Sequence, residues 1–122
     1  MNLEKTQIKN SVTKAPRLFV EKEKYIFSDA EEGTYVNHEW ELKNIGTDTL
    51  YITDVESSCG CTAVSPSKKV IGPDESTKLK IIFDTRGRLG INTKFVTIHS
   101  NDSAFPNKVL VIEGRVVPKK VN

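Results

Sequence analysis

The chain has 122 residues, the size of one domain and too short for two. Eighteen Lys and Arg oppose sixteen Asp and Glu, a net charge of +2, without the basic excess of a nucleic-acid binder. Hydrophobic residues make up 37%, enough for a core that needs neither metal nor disulfide framework, and no run of about eighteen apolar residues predicts a membrane span.

Residues 1–16 are polar, lysine-bearing and without period, which predicts a flexible N-terminal segment. No apolar stretch of secretory type follows Met1. The expected location is therefore cytoplasmic, or periplasmic and envelope-associated if a signal peptide was removed. A single domain is expected over residues 17–118, with residues 119–122 as a solvated tail.

Arg17–Val20 and Tyr25–Ser28 read as a broken first strand. Asp29–Gly33 is a turn, and Thr34–Lys43 then alternates, with Val36, His38, Trp40 and Leu42 on one face. That period of two is the mark of a half-buried strand. Asn44–Asp48 supplies the next turn. Leu50, Ile52 and Val55 mark a strand that ends at Ser57-Ser58-Cys59-Gly60-Cys61, followed by a short extension over Thr62–Val64. Gly72–Glu75 turns the chain into a strand carrying Leu79, Ile81 and Phe83. Arg86–Gly90 is a basic, glycine-bearing loop. Phe95–Ser100 is a strand, Asn101–Asn107 a turn, and Val109–Val117 the last strand. Short strands with turns about every ten residues predict an all-β protein, an immunoglobulin-like antiparallel β-sandwich of seven to eight strands. Both cysteines lie in one loop, so the inter-sheet disulfide of antibody domains is missing, and Trp40 fills the core in its place. Antiparallel strand order puts Arg86–Gly90 and Asp29–Gly33 at the pole of the cysteine loop. His99 goes to the opposite pole, with Asn44–Asp48 and Asn101–Asn107.

Cys59-Gly60-Cys61 is the one feature that suggests chemistry, and three readings stand. The first is a small structural clip, which closes so short a ring that chain entropy contributes only about 1.6 kcal/mol. The second is a redox pair, with Gly60 supplying the backbone angles the ring requires and Arg86 and Arg88 stabilising a thiolate. The third is a soft-metal site in which Cys59 and Cys61 bind Cu(I) or share an ion between two chains. Two thiolates are half of a structural zinc set, and His38 and His99 fit no zinc-finger spacing. His38, beside Trp40, reads as a core histidine. No phosphate loop, dinucleotide fingerprint or His-Glu-x-x-His motif is present, so neither an enzyme nor a cofactor is expected.

Ser58-Cys59-Gly60-Cys61-Thr62 resembles the signature of the bacterial domain of unknown function 1573 family. The likeness extends to Asn44-x-Gly46, Leu50, Ile52 and Val55 before the cysteines. After them come Phe83-Asp84, Gly90, Ser100-Asn101-Asp102, Leu110, Ile112 and Gly114, covering Val36–Val117. The family usually has Pro-Gly where this chain has Pro73-Asp74. The resemblance implies an immunoglobulin-like fold similar to Hydin, major sperm protein and PapD-type domains. Those are mostly binding or scaffold modules, and family members are often exported. The expected function is thus an interaction or scaffold module of the bacterial envelope. Its protein partner is expected to add a strand at an exposed sheet edge. The alternative is a redox or copper-handling domain using Cys59 and Cys61.

Overall fold

The computed structural model describes residues 13–121; most of the expected flexible segment, residues 1–12, and residue 122 of the tail lie outside the described residues. Among the described residues nine strands form two sheets. The first sheet has the order β1 (Leu18–Phe19), β3 (Tyr35–Asn44), β7 (Ser76–Asp84), β5 (Thr62–Pro66). The second has β2 (Lys24–Glu31), β9 (Asn107–Val117), β8 (Gly90–Ser100), β4 (Leu50–Ser57), β6 (Val70–Ile71). Two strands of two residues each, β1 and β6, account for the excess over the expected count. They are too short to carry a period in the sequence.

The broken first strand has a topological cause. β1 pairs antiparallel with β3 through Leu18 and Phe19. The chain then crosses to the other sheet, where β2 runs parallel to β9. One parallel pair therefore sits in an otherwise antiparallel sandwich.

The alternation of β3 is realised as read: Val36, Trp40 and Leu42 are buried, while Asn37, Glu39 and Glu41 face solvent. Trp40 is only 3% exposed. Its layer, with Leu79, Ile81 and Phe83 of β7, packs on Ile52, Val96, Ile98, Leu110 and Ile112 of the second sheet. Each such side chain contributes about 1.5–3 kcal/mol on leaving water.

Two buried polar residues hold the loops at one pole. The Asn44 side chain is wholly buried. Its Oδ1 accepts from the amides of Arg17 (3.2 Å) and Gly46 (2.9 Å), and its Nδ2 donates to the carbonyls of Asp48 (2.8 Å) and Ile71 (2.9 Å). Asp102, equally buried, accepts from the amides of Leu18 (2.9 Å) and Ala104 (2.9 Å) and lies 3.4 Å from the Arg17 guanidinium. The Ala15 carbonyl accepts from the Thr47 amide at 2.8 Å, so the packed domain starts before residue 17. Gly46 lies against this segment, and a Cβ there would overlap the Ala15 carbonyl oxygen. Only glycine lets the two backbones approach so closely.

The Pro73-Asp74 turn adopts the backbone a Pro-Gly turn would have. Asp74 has φ of 65°, the left-handed region that a type II turn requires and that Asp tolerates better than most residues. The departure from the family pattern thus changes strain and not turn type. Asp74→Gly is expected to raise stability by about 1 kcal/mol, read as a higher urea midpoint at unchanged slope.

Candidate functional site

The cysteine loop carries the chain from the end of β4 in one sheet to the start of β5 in the other. Cys59 and Cys61 are joined as a disulfide, with Cα atoms 5.1 Å apart. The loop is held from every side. The Ser58 amide donates to the Phe95 carbonyl (2.9 Å), and Ser58 Oγ accepts the Phe95 amide (3.0 Å). The Ser57 hydroxyl lies 2.8 Å from the Cys59 carbonyl and 3.1 Å from that of Thr62. The Asp84 amide donates to the Cys61 carbonyl at 2.9 Å, and Cys61 packs on the core.

Gly60 plays a smaller part than expected. Its φ is not positive, unlike those of Gly33, Gly87 and Gly90, and a Cβ there meets nothing within 4 Å. The ring closes without a positive φ at this residue, so closure does not call on the left-handed backbone that glycine alone favours.

The neighbouring pole is composed as the strand order implied. The Gly87 amide donates to Glu32 (2.8 Å) and the Gly33 amide to Thr85 (3.0 Å). These bonds bring the turn before β3 and the loop after β7 to the same end as Cys61. Arg86 is engaged there by Asp84, 2.7 Å from its guanidinium. The hydrogen bond from Arg86 holds the partly exposed Asp84 carboxyl below its ordinary range. Arg86 therefore spends its charge on Asp84. Arg88 forms no ion pair among the described residues, and its carbonyl accepts from Asn92. A cation that the sequence did not suggest, Lys94, sits 5.9 Å above the Phe83 ring, next to Thr62 in the β5–β7 register. Its position on an inward-leaning stretch of β8 carries no local sequence signal.

With the disulfide formed, neither sulfur is a thiolate, so thiol chemistry or soft-metal capture by Cys59 and Cys61 requires prior reduction. Ser substitution of both cysteines is expected to cost about 1.6 kcal/mol, a fall of a few degrees in Tm. A much larger fall, measured by thermal unfolding, would mark the pair as a main support of the fold.

The second feature is the free flank of β3. β1 covers it only at Lys43 and Asn44, and β7 pairs with its other side from Tyr35 to Lys43. Among the described residues no strand covers Tyr35–Leu42 on the outer side. The other edges are blunted. β4 carries a bulge between Ile52 and Asp54, β2 an irregularity between Phe27 and Ala30, and β5 spans five residues ending at Pro66. Short, bulged or proline-ended edges resist pairing. β3 alone is long, regular and free of proline.

A cleft of about 470 Å³ lies beside this flank, with Phe19, Tyr25, His38 and Trp40 in its lining. The Tyr25 and His38 rings stack at 3.7 Å and 7°, and His38 meets Trp40 edge-on at 4.9 Å. Trp40 Nε1 is buried and has no hydrogen-bond partner, an orphan donor in a wall of the cleft. His38 is half-buried and not a full core residue, with the Tyr25 ring of β2 stacked on it. Burial holds its pKa below the ordinary histidine value. The unfolded chain then binds the proton more readily, so this contribution is intact above about pH 6.5 and is lost as pH falls through the lower folded value. Acidification from pH 7.5 to 5.5 is expected to destabilise the wild type more than His38→Gln, compared by urea unfolding at both values.

Two stacked sheets, with the first strand divided between them, define an immunoglobulin-like β-sandwich domain. The family is shown by the sequence as well: residues 18–116 match the family described as Protein of unknown function (DUF1573), and the chain belongs to it. No curated protein matches the sequence. The fold is similar to that of a protein of unknown function from Porphyromonas gingivalis, at TM-score 0.78 and 18% identity; 88% of this chain aligns, and it spans 50% of that one. It also resembles the ASH/PapD-like domain 7 of human CEP192, at TM-score 0.71 and 16% identity, covering 87% of this chain and 89% of that one. The periplasmic chaperone SfaE aligns at TM-score 0.56 and 14% identity, over 86% of this chain and 58% of its own.

Proposed function

We propose that this domain is a non-enzymatic interaction module that takes an extended segment of a protein partner onto the free flank of β3. The observation that carries the reading is the uncovered stretch Tyr35–Leu42. A sheet edge of this length presents a row of unpaired N–H and C=O groups, which an extended peptide satisfies strand to strand. The adjoining aromatic cleft offers room for an apolar side chain from such a segment. Chaperones among the similar folds support a protein partner. An envelope compartment is part of the proposal, and the disulfide supports it, since such bonds persist in oxidising surroundings.

The test starts from peptides selected from a random display library against the immobilised domain. N-methylation of alternate peptide amides is expected to abolish binding at one parity and spare it at the other, because only one set faces β3. Bound peptide is expected to shift the backbone resonances of Tyr35–Leu42. Binding that ignores N-methylation, or that shifts resonances on another face, would overturn the reading.

A further inference from the structure

We infer that Asp54, Glu56 and His99 form a binding site for a first-row divalent transition ion such as Zn²⁺ on the outer face of the second sheet. This site is independent of the β3 flank.

The bulge in β4 creates it. Leu50 and Ile52 point into the core, and unbroken alternation would send Asp54 and Glu56 inward after them. The register shift between Ile52 and Asp54 reverses the phase, so that Val55 packs on the core and both acids stay exposed. Bulges commonly re-aim side chains beside functional sites. Here the re-aimed Asp54 comes to lie opposite His99 in the β4–β8 register, with Glu56 one pair further along opposite Thr97. One ligand atom from each of the three side chains lies within 4.8 Å of the others.

The imidazole is oriented for coordination. His99 Nδ1 lies 2.6 Å from Asn107 Oδ1, an acceptor, so Nδ1 carries the proton and donates it. The lone pair of the neutral ring is then on Nε2. That atom is shielded from solvent, has no hydrogen-bond partner and stands 3.3 Å from Glu56 Oε2. A lone pair and a carboxylate facing each other at this distance repel unless a proton or a metal ion lies between them. Metal-bound histidines are held in this way, with the remote nitrogen donating to a carbonyl or carboxylate. Asp54 Oδ1 accepts the Val55 amide at 2.9 Å, which leaves its second oxygen for the ion. Among the described residues neither acid pairs with Lys or Arg. One imidazole nitrogen with two carboxylates suits Zn²⁺ and its neighbours, with water completing the shell, better than Mg²⁺, which favours oxygen ligands alone.

The test is a Zn²⁺ titration of the folded, oxidised protein, followed by heteronuclear NMR of the histidine rings and by calorimetry. The expected result is one ion per chain, with the His99 ring resonances shifting and the His38 ring unmoved. His99→Asn and Glu56→Gln are expected to weaken binding at least tenfold, and Asn107→Ala about tenfold through loss of ring orientation. All three positions are on the outer face, and an unchanged melting curve before zinc addition confirms folding. The inference is overturned if His99 does not respond to millimolar Zn²⁺, or if His99→Asn binds as well as the wild type. A pair held only by a proton on Nε2 would give the first of these outcomes.

Discussion

Asn44→Ala is expected to lower the unfolding free energy by about 4 kcal/mol, from four lost hydrogen bonds at roughly 1 kcal/mol each. The side chain serves the amides of Arg17 and Gly46 and the carbonyls of Asp48 and Ile71. Alanine reaches none of them, and water has little access to a residue at 0% exposure. A loss of this size is a large share of the roughly 5–15 kcal/mol that holds a small domain together. The measurement is urea unfolding, with a lower midpoint at an unchanged slope. Asn44→Asp separates the two halves of the network, since it keeps the acceptor for Arg17 and Gly46 but offers no donor to Asp48 and Ile71. A loss below about 1 kcal/mol for the alanine variant would show that the surrounding backbone finds other partners.

Phe83→Ala is expected to cost about 3–5 kcal/mol, the usual range for emptying a buried phenylalanine site. The ring is fully buried, lies 6.1 Å from that of Phe27 and carries the Lys94 ammonium at 5.9 Å. Its residue is also paired with Thr62, the residue after Cys61, in the β5–β7 register. Thermal unfolding is expected to show the fall, and Phe83→Leu to restore most of it by refilling the volume. If Phe83→Leu and Phe83→Ala melt together, the site collapses around the cavity and the ring is not a packing support. Gly114 lies against the Phe27 ring of this cluster: a Cβ there would come within 2.5 Å of it, which explains glycine in the middle of β9.

The sandwich was legible because its signal is local. Alternation along Val36–Leu42 and Leu79–Phe83, with turns between, needs no knowledge of partners. The opposed poles followed from strand order, and the family signature was carried by a contiguous pentapeptide. What the sequence did not disclose depends on pairing across the chain. The two-residue strands β1 and β6 exist only because Lys43–Asn44 and Leu50–Tyr51 accept them. The crossing of the first strand, which frees the flank of β3, is read as a mere break until the second sheet is in view. Asp54 and Glu56 carry no site signal of their own in the sequence, because the bulge that re-aims them and their pairing with His99, over forty positions away, appear only in the β4–β8 register. Buried Asp102 passed for a loop residue because its partners, Leu18 and Arg17, come from the other end of the domain.

Amide hydrogen exchange of the free domain, resolved residue by residue by NMR, tests the open flank of β3 most directly. Amides of β3 that bond to β7 are expected to be strongly protected. Those pointing outward, every second residue between Tyr35 and Leu42, are expected to exchange within minutes, as solvated backbone does. Uniform protection along β3 would mean that another part of the molecule covers the edge, and the proposed mode of partner binding would not stand.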